Sequence, residues 1–350
     1  MKKSENNYRY DADLLNYINN IFGTNPSDKV FQRYILHLKT AGNISERTLT
    51  LYIKDLFGTY EPEKKFIRSA QYTFFTFLSI ERIQIKPEIT REILRKYIVW
   101  LVEHGIANSS INRRMSAVRS LYKFLLIEEL VETSPVPVNT HNRNSPRSSL
   151  SLKLDRRLPV FLTQQEMRKL IMAPDSSNPE GKRDIAILEL LYASGLRVSE
   201  IWQLDFDCFN PGSREVRVKG KGSKVRIVLM GIPAATALSE WINNGRPDLA
   251  TKYSRNALFL NNQGKRLAIR WIQKMVKHYS AAIGLEKNVH PHVLRHTFAT
   301  HMLDGGADLR VVQELLGHAD LSSTQIYTHV TKQQARKVYL TAHPLAQEKG

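Results

Sequence analysis

At 350 residues the chain has room for two domains, and a hydrophobic share of 42% supplies ordinary cores. Lys and Arg number 51 against 33 Asp and Glu, a formal charge of +18 that calls for a polyanionic partner: DNA, RNA or an anionic membrane surface. No apolar run approaches the roughly 20 residues of a membrane span, the polar start from Met1 to Asn7 lacks a signal-peptide core, and the single Cys208 excludes an intrachain disulfide or a cysteine-based zinc site, so a cytoplasmic protein is expected.

Residues 1–25 show weak periodicity and read as a short helix and loop. Phe31, Tyr34, Ile35 and Leu38 follow helical spacing, Ser45 is placed to cap a second helix, and the aromatic-rich stretch 72–79 reads as a core helix. Thr90 is placed to cap a long amphipathic helix that Gly105 ends. Ser109 or Ser110 then opens a helix with Ile111, Met115, Val118, Tyr122 and Leu125 on its apolar face and Arg113, Arg114, Arg119 and Lys123 on the other. This half is expected to be an all-helical bundle. Residues 134–158, Pro-containing, polar and basic, read as a linker.

The second half opens on Thr163 with Glu166 three residues on, the pattern of a capping box. An apolar helix follows over about 182–195. Glu215–Lys219 and Val225–Leu229 alternate around a Gly-Lys-Gly-Ser turn, which reads as a β-hairpin, and helices dominate from about 267 to 340. There is no internal repeat.

Six residues of this half stand out together: Arg197 in Gly-Leu-Arg-Val-Ser-Glu, Lys221 in the hairpin turn, His292 and Arg295 in Pro-His-Val-Leu-Arg-His, His318 after Gly317, and Tyr327. Two guanidiniums, an ammonium and two imidazoles can neutralise a phosphate whose charge grows in a transition state, and a tyrosine hydroxyl can attack it. Each also has a plainer reading. Arg197 and Glu200 could be a surface ion pair, Lys221 a solubilising turn residue with Lys219 and Lys224 as rivals, and His318 a helix cap. His292 and His296 stand at the i, i+4 spacing of a zinc helix, but no glutamate follows His292 and Arg295 would set a cation beside the metal. Pro291 suits a first helical position, which places His292 and Arg295 in the anion-favouring first turn.

In this combination the chain resembles the tyrosine recombinase (phage integrase) family, and within it the bacterial Xer recombinases. Leu191–Glu200 is similar to the family's first arginine motif, Gly220–Lys224 to its lysine hairpin, His292–His301 to its His-x-x-Arg helix, and Leu316–His329 to the segment that ends on the nucleophile. The tail Val338–Pro344 looks most like the XerC branch, and Ser109–Ala117 resembles the helical core-binding domain. Residues from about 58 to 72 look like an insertion, and Val225 and Leu229 replace residues usually acidic and proline.

The resemblance implies a mainly α, two-domain clamp on duplex DNA: an N-terminal extension over 1–25, an all-helical core-binding domain over 26–133, the linker 134–158, and a mixed α/β, mostly helical catalytic domain over 159–350 that ends in an exchange segment. It implies Tyr327 as nucleophile, Arg197, Lys221, His292, Arg295 and His318 as its catalytic partners, and DNA contacts from Arg113, Arg114, Arg119 and Lys123. It further implies strand exchange through a 3′-phosphotyrosyl bond and a Holliday junction, with no cofactor and no metal. The partners it implies are duplex DNA and a homo- or hetero-tetramer on it, with no membrane; a second Xer-type recombinase and a DNA-translocase activator are further partners it leaves open. Resolution of chromosome dimers at cell division is the expected role. An integrase of a mobile element and a non-catalytic DNA-binding regulator on the same fold are the alternatives.

Overall fold

The structure is a computed structural model that describes residues 30–40, 44–58, 72–83, 89–136, 152, 160–219, 225–317 and 332–346. The chain divides into two compact units, Met1–Arg156 and Arg157–Gly350. It is mainly α, with one small antiparallel sheet. Among the described residues no helix is long and apolar enough to cross a membrane.

The described part of the first unit is helical: α1 (Val30–Thr40), α2 (Glu46–Leu56), α3 (Phe74–Ile80), α4 (Arg91–Glu103) and α5 (Asn108–Ile127). Ser45, Thr73 and Thr90 each accept a hydrogen bond from the backbone N–H three residues on, so a side chain satisfies one orphan donor at each of these helix starts. Aromatic packing fills the interior. The Phe57 and Phe75 rings stack at 4.6 Å, and Phe74 and Phe77 each lie 5.2 Å from Tyr97. One expectation is corrected. α5 starts at Asn108, earlier than Ser109 or Ser110, with Ala107 at its cap position and no side-chain cap bond. Within the stretch read as linker, Leu152 is tied to α5 by the Asn112 side-chain amide, which donates to its carbonyl at 3.0 Å and accepts from its N–H at 2.9 Å.

The second unit begins with α6 (Gln164–Ile171), whose capping box of Thr163 and Glu166 is complete. α7 (Pro179–Ser194) is buried along most of its length and ends at Gly195 in the left-handed conformation, φ 57°. A side chain at Gly195 would strike Phe298 and Leu316, since a Cβ there would fall 2.6 and 2.7 Å from their ring and methyl carbons. After α8 (Val198–Gln203) come β1 (Phe209–Asn210), β2 (Glu215–Lys219) and β3 (Val225–Leu229), in sheet order β1-β2-β3. In the hairpin Val216 faces Val228 and Val218 faces Arg226. The sequence reading missed the third strand because two residues are too few to show alternation.

α9 (Ile232–Glu240) runs through a π-helical turn, Trp241–Gly245, into α10 (Arg246–Leu249). α11 (Ile269–Ala282), α12 (Pro291–Asp304), α13 (Leu309–Leu316) and α14 (Lys332–Ala342) complete the described part of the unit. The main core centres on α7, while Phe298 and Met302 of α12, Val312 and Leu316 of α13 and Tyr339 and Ala342 of α14 form a second cluster. The last described helix, α14, is thus seated on its own unit, with Tyr339 1% exposed. His343 anchors the turn that follows: one ring nitrogen lies 3.3 Å from the Tyr192 carbonyl, and the other accepts from the Leu345 N–H at 3.2 Å.

Candidate active site

The close approach at Gly195 brings the end of α7 against α12 and α13, and Arg295 exploits it. From the first turn and a half of α12 its guanidinium is buried and donates to the Gly195 carbonyl at 2.6 Å and to the Leu316 carbonyl at 2.9 Å. Both acceptors belong to helix ends whose carbonyls need donors, so one cation ties two C-termini together. Burial, then the neighbouring charge of Arg197, pushes the Arg295 pKa down to about 10.

Arg197 sits two residues past Gly195, at the start of α8. Glu200 receives its backbone N–H at 2.8 Å and its Nη1 at 3.2 Å. The same carboxylate accepts a fork from Arg226 on β3, Nη1 to Oε1 at 2.7 Å and Nη2 to Oε2 at 3.1 Å. Burial favours the neutral acid, but the hydrogen bonds from Arg226 and Arg197 outweigh it and hold the Glu200 pKa below the usual carboxylate range. Two guanidiniums therefore share one carboxylate, while Arg295 has carbonyl partners only.

His292 is exposed at the start of α12, beside His290, with ring centroids 6.1 Å apart. What burial it has, then the charges of His290, Arg295 and Arg197, lower its pKa, so the ring is neutral at pH 7 and able to accept a proton. His296, one turn on, is exposed and faces the Phe161 ring. The structure thus places Arg197, His292 and Arg295 in one neighbourhood. Lys221, His318 and Tyr327 lie outside the described residues, although the strands flanking the Lys221 turn and Gly317, which precedes His318, are described.

On the first unit Arg113, Arg114, Arg119 and Lys123 do not share one exposed face. Arg114 is buried and donates to the Tyr72 carbonyl, and Arg113 is paired with the buried Asp55. Arg119 is half-buried and Lys123 exposed. The expectation placed all four on the face opposite the apolar residues, yet a step of about 100° separates neighbours on a helix and carries Arg114 to the packed side.

Two features escaped the sequence reading. Arg226 was hidden inside an apolar strand, although alternation with buried Val228 puts it on the inward face, and an inward cation needs an acid. The outer face of α11 carries exposed Arg270, Lys274, Lys277 and His278 at helical spacing. Its signal was the i, i+4, i+7 repeat of bases opposite Ile272, Met275 and Val276.

The sequence profile of the phage integrase family matches residues 160–334, and that of the phage integrase N-terminal SAM-like domain matches residues 72–129. Tyrosine recombinase XerC of Pelotomaculum thermopropionicum is 40% identical, over 89% of this chain and 97% of the relative. Tyrosine recombinase XerD of Halalkalibacterium halodurans is 38% identical, over 90% and 97%. In fold, the chain is similar to the XerH site-specific recombinase bound to its difH substrate in a pre-cleavage complex, with TM-score 0.59 and 22% identity over 93% of this chain and 94% of that one. The chain belongs to the phage integrase family, the tyrosine recombinases, enzymes that cut and rejoin DNA.

Proposed function

We propose that this recombinase opens duplex DNA one strand at a time, with Tyr327 as its nucleophile. The tyrosine oxygen attacks the scissile phosphorus as His292 takes its proton. The bond from phosphorus to the 5′ oxygen breaks, Lys221 protonates that oxygen, and a 3′-phosphotyrosyl bond remains. Arg197 and Arg295 hold the non-bridging oxygens with help from His318. Reversal by a 5′-hydroxyl of the partner duplex rejoins the strand. One phosphoester replaces another at each step, so the chemistry draws on neither ATP nor a metal.

The observation that carries this reading is the excess of cations at the end of α7: with Glu200 forked by Arg226, Arg197 and Arg295 are left without a carboxylate of their own, with neutral His292 beside them. Such a group is relieved by an anion and strengthens its hold as the anion's charge grows. Exposed bases on α11, with exposed Lys123 and half-buried Arg119 on α5, would hold the DNA backbone, while buried Arg114 acts through packing. Likeness to both XerC and XerD over nearly the whole chain supports a tetramer that passes through a Holliday junction and resolves chromosome dimers in the cytoplasm at cell division. In that assembly α14 would leave its seat on its own unit to dock on a neighbour.

A nicked duplex that traps the covalent intermediate tests the reading. Wild-type protein should yield a denaturant-stable protein–DNA adduct and Tyr327→Phe none, with DNA binding retained. An adduct persisting in Tyr327→Phe would overturn the assignment and require another nucleophile.

A further inference from the structure

Arg226 is the one member of the cation group that no role in the cleavage chemistry uses. It is also the best paired. Its fork occupies both oxygens of Glu200, at 2.7 and 3.1 Å, and its side chain is 21% exposed against 37% for Arg197. Arg197 is left with a single side-chain contact to that carboxylate, Nη1 to Oε1 at 3.2 Å. A guanidinium and a carboxylate left alone pair through two parallel hydrogen bonds. Without Arg226, therefore, Glu200 would draw the whole fork of Arg197 onto itself, and away from any phosphate.

The contact also has a fixed shape. A Cβ at Gly317 would fall 2.9 Å from both Cζ and Nε of Arg226, so the guanidinium lies flat against the end of α13, and Gly317 is held there with φ 68°. Arg226 Nε, buried on that side, has no hydrogen-bond partner among the described residues. A lysine could supply the charge but neither the fork nor the flat surface.

We propose that Arg226 is a positioning residue for DNA cleavage: by saturating Glu200 it keeps the guanidinium of Arg197 oriented but unconsumed, free to grip the scissile phosphate. This rests on the phosphoryl-transfer reading above. Arg226 acts through Arg197 and does not itself touch DNA. Glu200 is then a shared hinge: it orients Arg197 from below, and Arg226 limits how much of Arg197 it can take.

Single-turnover cleavage of a nicked duplex at saturating protein tests this with wild type, Arg226→Met, Arg197→Ala and the double variant, with DNA affinity and melting temperature measured in parallel. Arg226→Met should slow cleavage by about 10- to 100-fold, the range for losing a partner that orients a reacting group, while DNA affinity stays at the wild-type value. In the Arg197→Ala background the same change should cost nothing more, because the group it serves is gone. A methylphosphonate at the scissile position has one charged oxygen fewer to hold, and there the gap between wild type and Arg226→Met should narrow.

Multiplying defects in the double variant, or an equal defect on both substrates, would overturn the proposal. Should Arg226→Met melt below the assay temperature, Arg226→Lys carries the test: it should cleave slower than wild type, and full activity from lysine would show that charge alone suffices. Failure of the underlying reading looks different, since wild type would then form no adduct or Tyr327→Phe would form one.

Discussion

The two ends of α7 bury arginine in opposite ways. At the N-terminal end Arg183, 1% exposed, is matched by an acid: its Nε donates to Asp184 at 2.9 Å, its Nη1 to the Leu260 carbonyl at 2.9 Å, and Trp271 covers it with the guanidinium carbon 4.2 Å from the ring centroid. Tyr279 donates to the second oxygen of Asp184 at 3.0 Å. At the C-terminal end Arg295, 9% exposed, has two carbonyls and no acid of its own, and Arg197 and Arg226 crowd it. A buried charge with its partner in place is a piece of architecture. A buried charge among like charges is held at a cost that a bound anion can remove.

Neutralising each arginine in turn should separate the two ends. Arg183→Met should destabilise the second unit by about 3–5 kcal/mol, because Asp184 is left buried and unpaired, and removing that acid as well, with Asp184→Leu, should restore much of the loss. Urea unfolding of the wild type and the two variants reads both effects. Arg295→Met should act on chemistry instead, slowing cleavage of a nicked duplex by about 10²–10³, or about 2.7–4 kcal/mol of barrier, the cost of losing one preorganised donor. A loss of stability in Arg295→Met as large as in Arg183→Met would erase the distinction between the two ends.

The sequence made one end far easier to read than the other. Gly195, Arg197, Pro291, Arg295 and Gly317 fall in short local patterns with a physical meaning: a helix stop, a helix start and cations at fixed offsets. The same holds for the capped helices at Ser45, Thr90 and Thr163. What stayed hidden depends on pairs distant in the chain. Arg226 meets Glu200 across 26 positions, and Arg113 meets Asp55 across 58. Neither partner marks its own sequence neighbourhood. The seat of α14 was equally illegible: its amphipathic pattern calls for a docking surface, and only the packing of Tyr339 against Phe298 and Met302 identifies that surface as its own unit.

His343 extends the comparison to a group buried without any charge. It is fully buried, stacked on Tyr339 at 5.2 Å and near Tyr192 and His301. Burial, against the pull of the Tyr192 carbonyl and with a further push from His301, lowers its pKa from 6.5 to about 4. The folded state therefore binds the proton less readily than the unfolded chain. Its contribution is fully present above pH 6.5, falls as the pH drops towards 4, and levels off below that. The loss across this window is on the order of 3 kcal/mol at 1.36 kcal/mol per pKa unit. Melts from pH 7 to pH 4 should show His343→Phe less stable than wild type at neutral pH but flatter in its acid response. An unchanged slope would mean that other groups govern acid unfolding of this segment.

The smallest effects belong to α5, where the same contrast separates neighbours on one helix. Arg114 is buried against the Tyr72 carbonyl, whereas Lys123 stands exposed and Arg119 half so. If exposed bases hold phosphates and buried ones hold the fold, Lys123→Ala and Arg119→Ala should each reduce the slope of log affinity against log salt by about 0.9 and weaken all DNA sequences alike. Neither should lower the melting temperature. Arg114→Ala should do the reverse, because it removes the charged donor to the Tyr72 carbonyl and leaves only the Tyr97 hydroxyl at 3.4 Å, a loss of about 1.5–3 kcal/mol, and opens space beside Tyr97 while removing no phosphate contact. Arg113→Ala falls between them, since it strips the buried Asp55 of its counter-charge yet also removes a half-exposed base. Salt titrations of DNA binding and thermal melts on the same four proteins separate the two kinds of arginine. A reduced salt slope in Arg114→Ala at unchanged stability would place that side chain on the DNA and show that its buried position is not the one it keeps when bound.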